Sequence, residues 1–344
     1  MLLFDWPVAA FTCGKPPLAN QTIASVTPTS GGFSQVKAAA IDLSPVDKGV
    51  QLFENLGDII KLAAVENGVG DFFKELPYNQ GSVIAKGMSG DVVLVTCSDK
   101  PSEKRVLKRM PLKCRRSERA AKMLFMYELD TFYRTDHRGL AKCILAARCP
   151  GYLAIVMKFY PLGDLERSLS ILPSESRPWV AARVSEAVDY LHTKRIVHGD
   201  IKLQNILLDT GFTPVLSDFG LSRYLTEDVL TLSANKFGGT REYWAPEIRN
   251  RDATLQVDPF KVDTYALGVV ILSLLSLLKP KMDLDYLETA KTTEDVSSDH
   301  RPILEAALEP DFKNRCTSTE VLRFYKDIVD KPCSESDCTA NPQD

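Results

Sequence analysis

The segment His198-Gly-Asp-Ile-Lys-Leu-Gln-Asn205, followed thirteen residues later (218 − 205) by Asp218-Phe-Gly220, constrains this chain more than any other feature. It sets two aspartates, a lysine and an asparagine at spacings that suit one kind of chemistry. A carboxylate such as Asp200 can accept a hydroxyl proton, and Asn205 and Asp218 offer the hard oxygen atoms that Mg²⁺ prefers. Lys202 can neutralise charge on a phosphoryl group in flight. Each side chain alone would be an ordinary solvated group; four at these spacings form a constellation.

The flanking sequence supplies matching parts. Ile84-Ala-Lys-Gly-Met-Ser-Gly-Asp-Val92 carries small residues at 85, 87 and 90, so a strand-turn-strand here would let backbone N–H groups approach phosphate oxygens. A plain hairpin is the competing reading of that turn. Lys108 follows Val92 by sixteen residues (108 − 92) in the short β-rich run Arg105-Val-Leu-Lys108. Glu128 follows Lys108 by twenty (128 − 108) within a helical segment at about 115–134, well placed to pair with the ammonium and aim it. Further strands are expected at 82–85, 91–95, 143–147 and 152–158, and mostly helix after Pro161, including 179–191 with its apolar residues at helical spacing. Gly239-Thr-Arg-Glu-Tyr-Trp-Ala-Pro-Glu247 closes the polar constellation.

In this order the motifs resemble the eukaryotic protein kinase superfamily, over about residues 77–330. The resemblance implies an α+β bilobal protein kinase fold, with a small β-rich N-lobe (about 77–158) and a larger, mainly helical C-lobe (about 161–330). It implies ATP between the lobes, Mg²⁺, and phosphoryl transfer to a protein Ser/Thr hydroxyl. Carried over by position, Lys108 would bind the α/β-phosphates with Glu128 holding it, and Asp200 would be the base with Lys202 beside it. Asn205 and Asp218 would hold the metal. Ala85, Gly87 and Gly90 would form the phosphate turn, while Val92, Val106, Met157 and Leu207 would line the adenine pocket. Lys158, Phe159 and Tyr160 would form the hinge, and Asp164 would sit near the ribose. Glu247 with Arg315, and Asp263, would be structural. Phe132, Cys143, His198 and Phe219 would stack as a column. Lys202 and Thr240 resemble the serine/threonine rather than the tyrosine type, and Gln204 stands where kinases selecting basic residues often place glutamate.

Three departures from the family pattern bear on activity. Gly199 replaces the usual arginine, giving a non-RD loop that resembles those of plant receptor-like kinases and some secreted parasite kinases. It removes the phosphate-binding partner of a phosphorylated activation loop, so Thr226, Thr231 and Ser233 are weak candidates for regulatory phosphorylation. Ala85 replaces the first glycine. Val106 adds two methyl groups where alanine usually meets adenine, which would tighten that pocket. The alternative to an active kinase is a pseudokinase acting as a regulatory binding or scaffold protein.

Composition narrows the partners. With 42 Lys+Arg against 45 Asp+Glu, a net charge of −3, no nucleic-acid partner is expected. A local basic run, 104–122, carries nine Lys/Arg against Glu103 and Glu118; it reads as a solvated face, with an acidic partner or a membrane surface as alternatives. No run of about 18 apolar residues is present, and Tyr265–Leu278 reads as a buried globular helix, so no transmembrane segment is expected. The first thirteen residues faintly resemble a signal peptide but lack a basic start and contain Asp5 and Pro7. The expectation is a cytoplasmic protein with reduced thiols, export being the alternative. Residues 1–76 read as an extension with one amphipathic helix at 50–62, and 331–344 as a disordered tail.

Overall fold

The structure, a computed structural model, describes residues 78–330 except 88–89, 113–117 and 150. The extension with its expected helix, and the tail, lie outside the described residues. The described chain divides into two compact units: 78–136, 141–159 and 218–222 form the first, and 137–140, 160–217 and 223–330 the second.

The first unit is a five-stranded antiparallel sheet of β1 (Tyr78–Gly87), β2 (Gly90–Cys97), β3 (Lys104–Pro111), β4 (Cys143–Cys149) and β5 (Tyr152–Lys158), in the order β1-β2-β3-β5-β4, with one helix, α1 (Glu118–Arg134). Strand alternation sorts the apolar residues into two cores. Val93, Val95, Leu107, Ala154 and Val156 pack with Tyr78 on one face. On the other, Met110, Leu153 and Ile155 pack against Ala121, Phe125 and Met126 of α1. The ends of α1 carry i,i+4 ion pairs, Glu118 with Lys122 at 2.7 Å and Asp130 with Arg134 at 2.9 Å, oriented to favour the helix dipole. β1 is longer than the pattern at 82–85 suggests, because two irregularities between Gln80 and Ala85 break its alternation while the ladder to β2 continues.

The second unit is helical, as expected, but threaded by three two-stranded ladders too short to announce themselves in sequence. Its helices are α2 (Leu165–Ser168), α3 (Arg177–Thr193), α4 (Pro246–Arg249), α5 (Pro259–Ser276), α6 (Tyr286–Thr292), α7 (Arg301–Ala307) and α8 (Ser318–Asp330). The ladders pair β6 (Ile196–Val197) with β9 (Arg223–Tyr224), β7 (Ile206–Leu208) with β8 (Pro214–Leu216), and β10 (Leu232–Ser233) with β11 (Gln256–Val257). Helix α5 is long and apolar enough to cross a membrane, with a mean hydropathy of 1.3, yet 83% of it is buried inside the protein. Asp258 caps it by accepting from Phe260 N at 2.9 Å, and it ends where Leu277 turns left-handed (φ 59°). Among the described residues, Cys97 and Cys316 are free thiols, and burial pushes Cys316 up to about 11.

Candidate active site

In the first unit the site is built around an ammonium buried between two carboxylates. Lys108 lies on the sheet face that α1 covers, opposite Val92 on β2 and Ile155 on β5, and is 4% exposed. Its Nζ donates to Glu128 Oε1 and Oε2 at 2.9 and 2.7 Å and to Asp218 Oδ1 at 2.8 Å. Glu128 is fully buried; desolvation raises it to about 7 although Lys108 pulls the other way. Burial works to lower Lys108, but Asp218 and Glu128 together hold it above the ordinary lysine range. The ammonium is therefore a fixed positive charge. Asp218 adopts a left-handed backbone (φ 62°), strained for a non-glycine residue, and leads into the helical turn Phe219–Leu221. Phe219 is buried edge-on to Phe132 at 5.3 Å, and Cys143 packs against the same core as Phe132.

Cross-strand register gathers the expected adenine residues of this unit with Ala85 of the expected phosphate turn. Ala85 faces Val92, Val92 faces Lys108, and Val106 faces Met157, so all share the Lys108 face. Val106 is 7% exposed and leaves its neighbours little slack. Gly87 pairs with Gly90 at the turn. Gly90 has φ +135°, and a Cβ there would meet Arg109 O at 2.0 Å, so close backbone approach alone requires glycine at this position. Lys158 pairs with Arg105, and the chain passes from the first unit to the second between Phe159 and Tyr160. In the basic run, Arg105 pairs with Glu103, Arg109 with Asp91 and Lys122 with Glu118, while Lys108 is buried; much of its described charge is spent inside the unit.

In the second unit Asp200 is held by four donors. Its Oδ1 accepts from Thr240 N at 2.8 Å and from the Thr240 hydroxyl at 2.9 Å. Its Oδ2 accepts from Lys202 Nζ at 2.7 Å and Asn205 Nδ2 at 3.2 Å. Lys202 also donates to Thr240 Oγ1 at 2.8 Å, closing a triangle of ammonium, carboxylate and hydroxyl. Asn205 Nδ2 bonds Asp200 O at 2.8 Å as well, so the amide nitrogen is spent inward and the oxygen is the atom left to ligate. An amide oxygen here and the Asp218 carboxylate of the first unit are the hard donor type that suits Mg²⁺.

Asp263 on α5 fixes this loop by accepting from His198 N at 2.6 Å and Gly199 N at 2.9 Å. His198 is fully buried; its Nδ1 accepts from Asp200 N at 3.2 Å, which leaves Nε2 to donate to Ser217 O at 3.1 Å. Gly199 has φ +77°, a conformation in which any side chain would be strained, which gives a backbone reason for its glycine. Asp164 caps α2 by accepting from Arg167 N at 3.0 Å and bridges to Leu207, bringing those two expected residues together. Burial, then Asp209, pushes Tyr160 up to about 12. The Arg315 guanidinium forks onto Glu247 at 2.7 and 2.9 Å.

Three participants escaped the sequence reading. His192 joins Asp263 at 3.2 Å to Ser318 at 2.9 Å; Glu166 accepts from Gln204 Nε2 at 2.8 Å; and Arg195 binds the chain after the Asp218 turn. All are contacts between residues far apart in the chain, with no local spacing to signal them.

Comparison with known proteins agrees in class. The family model described as a protein kinase domain matches residues 78–325. The chain is 30% identical over 236 residues to the "Probable L-type lectin-domain containing receptor kinase S.5" of Arabidopsis thaliana, covering 64% of this chain and 33% of the relative. It is 30% identical over 244 residues to a G-type lectin S-receptor-like serine/threonine-protein kinase of Oryza sativa subsp. indica (68% and 27%). It is 34% identical over 160 residues to a receptor-like cytosolic serine/threonine-protein kinase of Arabidopsis thaliana (44% and 34%). The chain spans about a third of the length of these relatives.

Proposed function

Because this chain belongs to the protein kinase family, we propose that it is an active serine/threonine kinase that moves the γ-phosphate of ATP to a protein hydroxyl. The observation that carries this reading is the Asp200 carboxylate, which already accepts a threonine hydroxyl, that of Thr240, at 2.9 Å with the Lys202 ammonium 2.7 Å away. A substrate hydroxyl taking the place of Thr240 Oγ1 would find an acceptor for its proton and a cation beside the oxygen it attacks with.

The buried Lys108 would contribute a fixed charge to the α/β-phosphates, held by Glu128. Ala85, Gly87 and Gly90 would form the phosphate turn, Val92, Val106 and Met157 would supply the apolar surface for adenine from the first unit and Leu207 from the second, with Asp164 toward the ribose and 158–160 as hinge. Asn205 and Asp218 would hold Mg²⁺, which when bound neutralises phosphate charge. Gly199 makes the loop non-RD.

The test is transfer from labelled Mg·ATP to a mixed Ser/Thr substrate and to the protein itself, beside Asp200→Asn. Removing a base that acts in the transition state should lower kcat by about 10²–10⁴-fold while the melting temperature stays near wild type. Equal silence of two folded proteins would refute the enzyme reading and favour the pseudokinase.

A further inference from the structure

Arg195 occupies the corner where α3 gives way to β6, with φ 59°, a left-handed conformation uncommon for so bulky a residue. The corner points its guanidinium at the backbone of 225–229. Nε donates to Leu225 O at 3.4 Å, and Nη2 donates to Thr226 O at 2.8 Å and Val229 O at 2.6 Å. The Arg195 carbonyl accepts from Leu225 N at 2.8 Å, and Val229 N closes a turn onto Thr226 O at 3.0 Å. On its other side the guanidinium lies 5.2 Å from the ring of Phe260, at the start of α5. One cation thus ties α3, the head of α5 and three main-chain acceptors of the activation segment, at 225, 226 and 229.

We propose that Arg195 is a positioning residue that holds the activation segment in place without phosphorylation. The proposal rests on the kinase reading. In a phosphate-ordered segment, an arginine beside the catalytic aspartate meets a phosphorylated side chain. Here Gly199 offers no such group, and its backbone conformation disfavours one. Arg195 performs the ordering from four residues upstream, and its acceptors are main-chain carbonyls, present whatever the state of Thr226, Thr231 or Ser233. A planar fork reaching several carbonyls at once is work that lysine, with its single ammonium, does less well.

Two measurements on the full chain test this. Hydrogen exchange of Leu225 and Val229 amides in Arg195→Gln should speed up at least about tenfold relative to wild type, with Arg195→Lys in between. Transfer assays should show kcat reduced about tenfold in Arg195→Gln with the KM for ATP unchanged. The triple variant Thr226→Ala, Thr231→Ala, Ser233→Ala should keep wild-type activity, because it leaves every carbonyl in place. Unchanged exchange in Arg195→Gln overturns the proposal, as does faster exchange with undiminished kcat, or an inactive but folded triple variant. Should Arg195→Gln fail to fold, Arg195→Lys carries the same comparisons, and wild-type exchange and kcat in it overturn the proposal. Exchange needs no turnover, so a silent wild type would refute the kinase reading while this arm still decides the clamp.

Discussion

Replacing Arg315 by leucine should cost the protein more stability than any surface change and leave the contacts of Asp200 untouched. The side chain is fully buried and its Glu247 partner is 5% exposed. Besides the fork onto Glu247, Nε bonds Glu309 O at 2.8 Å, Nη1 bonds Lys261 O at 2.8 Å and Nη2 bonds Pro310 O at 3.2 Å, and the guanidinium lies 4.9 Å from the Tyr265 ring. Leucine would strand one buried carboxylate and three carbonyls together. Breaking a buried pair from one side costs about 3–5 kcal/mol, mostly because the surviving charge has no partner. With about 2.1 cal/mol/K of unfolding entropy per residue over about 250 folded residues, each kcal/mol moves the midpoint by about 2 °C, so a central loss near 4 kcal/mol corresponds to a drop of roughly 8 °C in a thermal melt. Arg315→Met combined with Glu247→Leu should recover much of the loss, since it removes both charges and fills the space. A single-mutant drop below about 3 °C, or a double mutant as unstable as the single, would refute the reasoning.

Two further outcomes follow from the site. Between the ordinary value of 4.5 and about 7, native Glu128 keeps a proton that the unfolded chain has released. Its stabilisation is therefore complete below pH 4.5 and lost as pH rises through about 7, and denaturant titrations across this window should show a decline that Glu128→Gln flattens; equal slopes would contradict the burial argument. Gly239 has φ +91°, and a Cβ there would lie 2.7 Å from Gly199 O and 2.9 Å from Asp200 Oδ1, so Gly239→Ala should lower kcat at least about tenfold by displacing that carboxylate. Unimpaired turnover in the alanine variant would show that the loop relaxes freely.

Much of the candidate site's polar clustering could be read in the sequence because its residues sit in short, ordered stretches. Lys108 and Glu128 are twenty residues apart, one in a β-rich run and one on an apolar helix face, so that they can pair was legible locally, and the resemblance to the kinase family implied that they do. The Asp200, Lys202 and Asn205 cluster fits within one loop. What stayed hidden depends on tertiary approach. The need for glycine at 90 comes from Arg109, across the β2–β3 ladder, and a reading centred on phosphate missed it. Arg195 looks like any solvated cation at the end of an amphipathic helix; only the left-handed corner and the returning chain give it acceptors. The ladders β6/β9 and β10/β11 are two residues per strand, too short for alternation to register.

The burial of α5 on nearly every side also bears on how the protein is made. Among the helices that pack against it, α3 precedes it in the chain, but α6, α7 and α8 follow. While a ribosome is still adding residues beyond Ser276, this eighteen-residue apolar rod has emerged with only the part of its cover that α3, β6 and the turn at 241–243 supply. An uncovered stretch of that length invites self-association, and the second unit cannot close around it until α8 has been synthesised. Chaperone occupancy on nascent chains should accordingly peak between α5 and α8, and refolding yield should fall with concentration through contacts made by this one helix.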